Sequence, residues 1–165
     1  MMAPRFERAR LLYAAIDKAS LSLKKSIDRL ELAGNQILFQ AGTKKLTITY
    51  RYVDNRMPGP GSFQLDGEYY ERPDIPKDRP PWYARSILLY AAIRKASYDL
   101  GEPVDGAEVT AGLLATVAVV LPIAVQGSVT CWAGDKQQTM HYRFVAEPGP
   151  FGPRRLFLDD EEIID

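Results

Sequence analysis

The sequence Leu11-Leu12-Tyr13-Ala14-Ala15-Ile16-Asp17-Lys18-Ala19-Ser20 occurs a second time in the chain, as residues 88–97. The two decapeptides differ only where Asp17 is replaced by Arg94. In each copy, apolar residues recur at intervals of three and four, which is the pattern of an amphipathic helix with one buried face. The repeat therefore predicts two equivalent helices, over residues 4–23 and 82–100.

Further matches extend the repeat along the chain. Arg8 corresponds to Arg85 at the offset of 77 that relates the decapeptides. Residues 47–53 (TITYRYV) correspond to residues 139–145 (TMHYRFV) at an offset of 92, so the second half gains 92 − 77 = 15 residues between these anchors. Because the matches keep the same order, they predict an internal tandem duplication. A third match continues the series, Leu65-Asp66 with Leu158-Asp159.

The residues after each helix change from a helical period to an alternating one. The pattern is clearest in residues 45–53, where β-branched and aromatic residues alternate between two faces as in a half-buried strand. We predict an α+β fold in which each repeat is one helix followed by a four-stranded antiparallel meander. The predicted units are 1–70, a Pro-rich connector 71–81, and 82–165 with an insertion at 101–125. One continuous sheet and two separate cores are both compatible with this pattern.

The insertion at 101–125 is the most apolar region of the second half. Asp105 with Glu108 three residues later resembles a capping box, which predicts an extra apolar helix from Gly106 to about Val120. Its many β-branched residues favour a buried strand as the alternative. The continuous apolar run 111–125 is shorter than the roughly 20 residues of a spanning helix, so no membrane span is predicted.

The composition is that of an ordinary globular protein. The chain has 165 residues and zero formal net charge, which gives no overall electrostatic reason to expect nucleic acid or an anionic membrane as a partner. Cys131 is the only cysteine, so no intramolecular disulfide can form, and we interpret it as a buried structural residue. The first residues do not resemble a signal peptide, and a cytoplasmic location is expected.

Arg51 and Arg143 are equivalent and flanked by aromatic residues, and the only histidine, His141, lies two residues before Arg143. We predict that these three residues bind a ligand or a partner. The ordinary alternative is cross-strand packing on a solvated face, where ion pairs contribute little. A single histidine cannot build a histidine-rich metal site, and no phosphate-binding or zinc-binding motif occurs, so no metal or cofactor is predicted.

Four aromatic residues, Tyr50, Tyr52, Tyr142 and Phe144, share one predicted strand face in the two repeats. Such a set resembles a stacking platform for single-stranded nucleic acid, although its alternation with polar residues favours the core-facing interpretation. The acidic segment 159–162 is typical of an edge strand protected by charge.

No catalytic constellation is evident, so we expect a non-catalytic protein-interaction or adaptor protein that self-associates, with Leu113, Leu114 and Val117 on the interaction surface. The first alternative is a protein or enzyme that binds a small anionic ligand in a helix–sheet cleft near Arg51, His141 and Arg143. The second is single-stranded nucleic-acid binding through a sheet face.

Overall fold

The computed structural model describes residues 4–53, 63–70, 81–111, 124–146 and 154–163. Helix α1 spans Pro4–Leu23 and helix α2 spans Pro81–Leu100. Five strands follow each helix: β1 (Arg29–Ala33), β2 (Gln36–Ala41), β3 (Lys44–Tyr52), β4 (Phe63–Leu65), β5 (Glu68–Tyr69), then β6 (Gly106–Ala111), β7 (Ala124–Ala133), β8 (Lys136–Ala146), β9 (Arg154–Leu158) and β10 (Glu161–Ile163). Both predicted helices and the α+β class are confirmed.

The described strands form one antiparallel sheet in the order β10-β9-β8-β7-β6-β1-β2-β3-β4-β5. Its middle is the pairing of β1 with β6, in which Leu30 lies opposite Ala107 and Arg29 lies opposite Glu108. The two halves of the chain therefore share one sheet and do not build separate cores. Each half runs outwards from the central pair as a meander.

The prediction of a single last strand in each half is wrong. The structure has a hairpin of two short strands there, β4–β5 in the first half and β9–β10 in the second. Asp66 and Gly67 have φ angles of 50° and 81°, and Asp159 and Asp160 have φ angles of 48° and 66°. Two successive residues with positive φ reverse an antiparallel chain in the shortest way, so the described part of each half has five strands where four were predicted. The outermost strands β5 and β10 are short and carry glutamates, as expected of protected edges.

The predicted extra helix is wrong over its first six residues, because Gly106–Ala111 is strand β6. Asp105 does not cap a helix. Its carboxylate binds Arg8 and the N–H group of Gly134. The strand that was the alternative is therefore found over these six residues, where β6 pairs with β1 and β7. The rest of the predicted helix, residues 112–120, lies outside the described residues.

The two helices pack on the same face of the sheet and run antiparallel to each other. The Phe6 and Tyr98 rings lie 4.9 Å apart, and Ser20 Oγ lies 3.0 Å from Ser86 Oγ. As the residue number rises in α1, that of its neighbour in α2 falls, which defines the antiparallel arrangement. The predicted apolar stripes include eight residues with 0% exposure: Leu12, Ala15, Ile16, Ala19, Leu89, Ala92, Ile93 and Ala96.

Alternate residues of the strands point towards the helices and join one hydrophobic cluster. In β2, for example, Ile37 and Phe39 are buried while Leu38 between them is exposed. Each end of the sheet is tied to the helix of its own half, since Lys18 Nζ lies 3.1 Å from an Asp66 oxygen and Lys95 Nζ lies 2.9 Å from an Asp159 oxygen. The sheet thus wraps the helices on one side and leaves its other face uncovered by described residues.

The central β1–β6 pair is held by two aspartates, one in front of each strand. Arg8 Nη1 donates a hydrogen bond to Asp105 Oδ1 at 3.0 Å, and Arg85 Nη1 donates one to Asp28 Oδ1 at 3.0 Å. Each arginine belongs to the helix of one half, and each aspartate belongs to the other half. These ion pairs are reciprocal and join the halves in both directions.

The same aspartates also organise the main chain. The N–H group of Leu32 donates to the carbonyl of Asp105, and that of Val109 donates to the carbonyl of Asp28, each at 2.8 Å. These bonds extend the central ladder beyond the three paired positions of β1 and β6. The second carboxylate oxygens of the two aspartates accept hydrogen bonds of 2.7 Å from the N–H groups of turn glycines, Gly42 and Gly134 respectively.

Gly106 of β6 is closely packed beside the central β1–β6 strand pair. A Cβ atom at Gly106 would overlap the Trp132 ring and lie 2.7 Å from the carbonyl oxygen of Leu30. We predict that Gly106→Ala lowers the free energy of unfolding by about 1–3 kcal/mol, which is typical of overpacking. Urea unfolding of Gly106→Ala in the wild-type and Trp132→Val backgrounds checks this. The alanine should cost less where the indole is absent, and an equal cost in both backgrounds would refute the packing account.

Candidate functional site

Arg51, His141 and Arg143 all lie on the helix-free face of the sheet. In β8, Met140 and Tyr142 point towards the helices and are buried, so strand alternation places His141 and Arg143 on the opposite side, where both are exposed. Arg51 is also exposed and occupies the corresponding position of β3. The three residues therefore do not line a helix–sheet cleft.

Arg51 is distant from the other two residues. In the sheet order, β3 and β8 are five strand spacings apart, which corresponds to about 24 Å at roughly 4.8 Å per strand. A small ligand cannot contact both arginines over that distance. His141 and Arg143, in contrast, are neighbours on one face of one strand. The predicted set thus consists of two separate positions on a single surface.

Arg143 packs on an aromatic ring, with its Cζ atom 4.6 Å from the centroid of Phe157. Arg51 lies opposite Gln64 of β4. Neither arginine forms an ion pair with any residue in the described ranges. His141 lies opposite Ser128, and its backbone N–H group donates to Asp159 Oδ1 at 2.8 Å.

Two other arginines on this face are paired with carboxylates. Arg29 donates to Glu108 at 2.9 Å and to Glu31 at 3.2 Å. Arg155 donates two hydrogen bonds of 3.0 Å to the carboxylate of Glu162. Arg51 and Arg143 differ from these cations, because their guanidinium groups have no carboxylate partner among the described residues.

The four predicted aromatic residues do not form an exposed stacking surface. Tyr142 is only 5% exposed, and Tyr50 and Phe144 pack against the hydrophobic core. The Tyr50 hydroxyl donates to the carbonyl of Gly34 at 2.9 Å, whereas Tyr52 is 42% exposed. Three of the four side chains are therefore committed to the helix side of the sheet, which agrees with the core-facing interpretation.

Cys131 is fully buried, and this burial raises the pKa of its thiol to about 12. A thiolate is therefore scarce at neutral pH, and the predicted burial of Cys131 is confirmed. The predicted interaction surface, Leu113, Leu114 and Val117, lies outside the described residues.

A cavity on the helix side was not predicted from the sequence. It has a volume of about 380 Å³ and lies between α1 and the β4–β5 end of the sheet, with Tyr90 of α2 also on its wall. Its other lining residues include Arg10, Tyr13, Asp17 and Tyr70. The repetition of Tyr13 as Tyr90 was the signal in the sequence, but helix–sheet packing explains a repeated tyrosine equally well.

The two repeated tyrosines contact each other where the helices meet. The Tyr13 and Tyr90 rings are 5.1 Å apart in an edge-to-face arrangement, which is a favourable geometry for aromatic rings. Burial raises the pKa of the Tyr13 hydroxyl to about 12, and the nearby Arg94 partly offsets this rise. At the far end of the cavity, the Tyr70 hydroxyl donates to Asp17 Oδ2 at 2.8 Å.

Comparison with known proteins adds no family or function: no family model, no curated protein and no solved structure matches the chain. Among the described residues, no group of three or more His, Cys, Asp or Glu side chains is arranged to hold a metal ion. Neither of the two described helices is long and apolar enough to cross a membrane.

Tyr13 should be visible in an alkaline titration. Its pKa in the folded protein is about 12 against 10.0 for an exposed tyrosine, so the folded state holds this proton more tightly than the unfolded chain does. The resulting stabilisation is complete below pH 10 and is lost as the pH rises through 12. We predict that Tyr13→Phe removes a late phase from the tyrosinate absorbance titration. The substitution should also reduce the loss of folding stability between pH 10 and 12. If the titration curve and the pH dependence of stability are both unchanged, the raised pKa does not belong to Tyr13.

Proposed function

We propose that this protein is a non-catalytic interaction protein built on a duplicated α+β scaffold, and that an acidic protein partner binds the helix-free face of its sheet. The observation that carries this proposal is the pair Arg51 and Arg143. Both are exposed at equivalent positions, and neither has a carboxylate partner among the described residues. Exposed arginines that lack a carboxylate partner among the described residues suit a partner with carboxylates, since Arg binds carboxylates in a bidentate manner.

The duplication is supported by contacts that occur twice at matching positions. Two ion pairs tie the helices to the sheet ends, Lys18 with Asp66 and Lys95 with Asp159. The two lysines are 95 − 18 = 77 residues apart in sequence, and the two aspartates are 159 − 66 = 93 residues apart. The reciprocal bonds of Asp28 and Asp105 follow the same relation. A pseudo-twofold axis through the central strand pair accounts for both sets. Such an axis presents Arg51 and Arg143 symmetrically on the open face.

The spacing of the two arginines fits one partner of ordinary size. Their strands lie about 24 Å apart. A standard protein interface buries about 800 Å² on each partner, which corresponds to a patch roughly 30 Å across. A single partner can therefore cover both arginines, whereas a small ligand cannot. Tyrosine and arginine side chains are also the residue types that most often dominate binding energy at interfaces.

A capture experiment with matched variants tests the docking surface. Wild-type protein, Arg51→Ala/Arg143→Ala and Lys24→Ala are immobilised and exposed to a nuclease-treated lysate at low salt. We predict that one specific protein is retained by the wild type and by Lys24→Ala but reduced about tenfold or more on the double variant, since a charged hydrogen bond is worth roughly 1.5–3 kcal/mol. The melting temperature of the double variant should stay nearly unchanged.

Two results would contradict the proposal. Equal retention by the double variant would exclude the arginine face as the docking surface. Retention from an untreated lysate that is lost when the same lysate is treated with nuclease would replace the protein partner with nucleic acid. Nucleic-acid binding through phosphates would in addition weaken steeply with added salt.

Self-association is a second part of the proposal and rests on sequence alone. Residues 111–125 form an apolar run, and an apolar segment of this kind is expected to be covered by protein. We predict a homodimer in native mass spectra of the full chain. Replacement of Leu113, Leu114 and Val117 by serine should leave a folded monomer. A wild-type monomer under the same conditions would refute self-association. It would not affect the proposal that a partner binds the face around Arg51 and Arg143.

A further inference from the structure

The cavity beside Tyr13 and Tyr90 has the dimensions of a small-molecule site. Its volume of about 380 Å³ lies within the range of roughly 300–1,000 Å³ that is usual for such pockets. Aromatic rings from α1, α2 and the sheet end form much of its wall, among them Tyr13, Tyr90, Tyr70 and the buried Phe63. Walls of this kind favour a flat apolar ligand, because aromatic rings pack best in offset or edge-to-face contact.

The charge at one end of this cavity is unbalanced. Arg10 lines the cavity, is exposed, and has no ion pair or hydrogen bond with any described residue. Arg94 on α2 does not line the cavity itself, but it is exposed and lies close enough to Tyr13 to affect the pKa of its hydroxyl. Two guanidinium groups near the same tyrosine, without a carboxylate partner among the described residues, attract an anion.

The antiparallel helix pairing explains why these two arginines are neighbours. The contacts Phe6–Tyr98 and Tyr13–Tyr90 lie on either side of Arg10 and Arg94 along the two helices. Arg10 lies one turn beyond Phe6, and Arg94 lies one turn before Tyr98, so both project from the same level of the two helices. The decapeptide repeat has aspartate at position 17 where the second copy has arginine at position 94. The one difference between the two decapeptides therefore supplies Arg94, whereas Arg10 lies just before the repeat.

The carboxylate within the cavity lies at the opposite end. Asp17 is seven residues from Arg10, about 10 Å along the helix. One of its oxygens accepts a hydrogen bond of 2.8 Å from Tyr70. The cavity therefore has a cationic end at Arg10, an aromatic middle, and a far end where the carboxylate is engaged by a hydroxyl.

We propose that this cavity binds a small aromatic molecule that carries one carboxylate or phosphate group, with its ring against Tyr13 and Tyr90 and its anion on Arg10 and Arg94. This site is on the helix side of the sheet, so it is separate from the docking surface around Arg51 and Arg143. A ligand there contacts both halves of the chain and bridges α1 and α2.

Isothermal titration of the full chain with simple aromatic probes tests the site. The probes are 2-naphthoate, 2-naphthyl phosphate, and the neutral isostere 2-naphthamide. We predict that at least one anion binds at millimolar or lower concentration, and that the amide binds at least about tenfold more weakly because it lacks the charge-assisted contact. The anion that binds more tightly identifies the natural anionic group.

Matched variants locate the binding. Arg10→Ala and Arg94→Ala should each lower the affinity for the anionic probe about tenfold. The affinity should be unchanged in Arg51→Ala/Arg143→Ala and in Lys24→Ala. All these side chains except Lys24 have been assigned to one of the two surfaces, and all are exposed, so the variants should fold. The proposal is overturned if neither anion binds, if the amide binds equally well, or if Arg10→Ala and Arg94→Ala leave the affinity unchanged. None of these results bears on the arginine pair of the sheet face.

Discussion

The carboxylates of Asp28 and Asp105 are the constraint on which the rest of the structure depends. Each accepts one hydrogen bond from an arginine of the opposite half and one from a turn of its own half. Ion pairs that are this exposed are weak individually. Here, however, the ion pairs are coupled to main-chain hydrogen bonds and to the pairing of β1 with β6. Loss of any one of these three interactions therefore disturbs the other two. The aspartates thereby fix which strands meet at the centre of the sheet.

The central pairing determines the two surfaces of the molecule. Because β1 and β6 pair, the ten described strands form one sheet, and the two helices cover only one of its faces. The covered face contains the hydrophobic core and the tyrosine-lined cavity at the helix contact. The open face carries paired charges together with Arg51 and Arg143. The two proposed binding sites follow from this division, since one lies on each side of the same sheet.

The sequence indicated the helices and the order of elements well, because the decapeptide repeat and the alternation in residues 45–53 have strong periods. It misassigned residues 106–111, since Asp105 and Glu108 imitate a helix cap while the strand depends on long-range pairing with β1. The same offset of 77 that relates Arg8 to Arg85 also relates Asp28 to Asp105, which is the signal that reveals the strand. The hairpins at Asp66 and Asp159 were missed because the strands that follow the turns have only two and three residues, too few for a visible alternation.

The candidate sites were less predictable than the fold. Strand alternation puts Arg51, His141 and Arg143 on one face, but it carries no information on the five strand spacings between β3 and β8. That separation depends on which strands meet at the centre. The cavity beside Tyr13 depends in the same way on the antiparallel packing of two helices that are distant in sequence. Neither property can be read from local periodicity.

The central pairing itself is the claim to test most directly, by nuclear Overhauser spectroscopy of the full chain. Arg29 and Glu108 face each other across the β1–β6 ladder, and in the non-hydrogen-bonded pairs of an antiparallel sheet the Cα atoms are only about 4.5 Å apart. We predict a strong intramolecular contact between the Hα protons of Arg29 and Glu108, and another between those of Glu31 and Gly106. If both contacts are absent while those within β2–β3 and β7–β8 are present, the halves are separate sheets and the shared-sheet account is wrong.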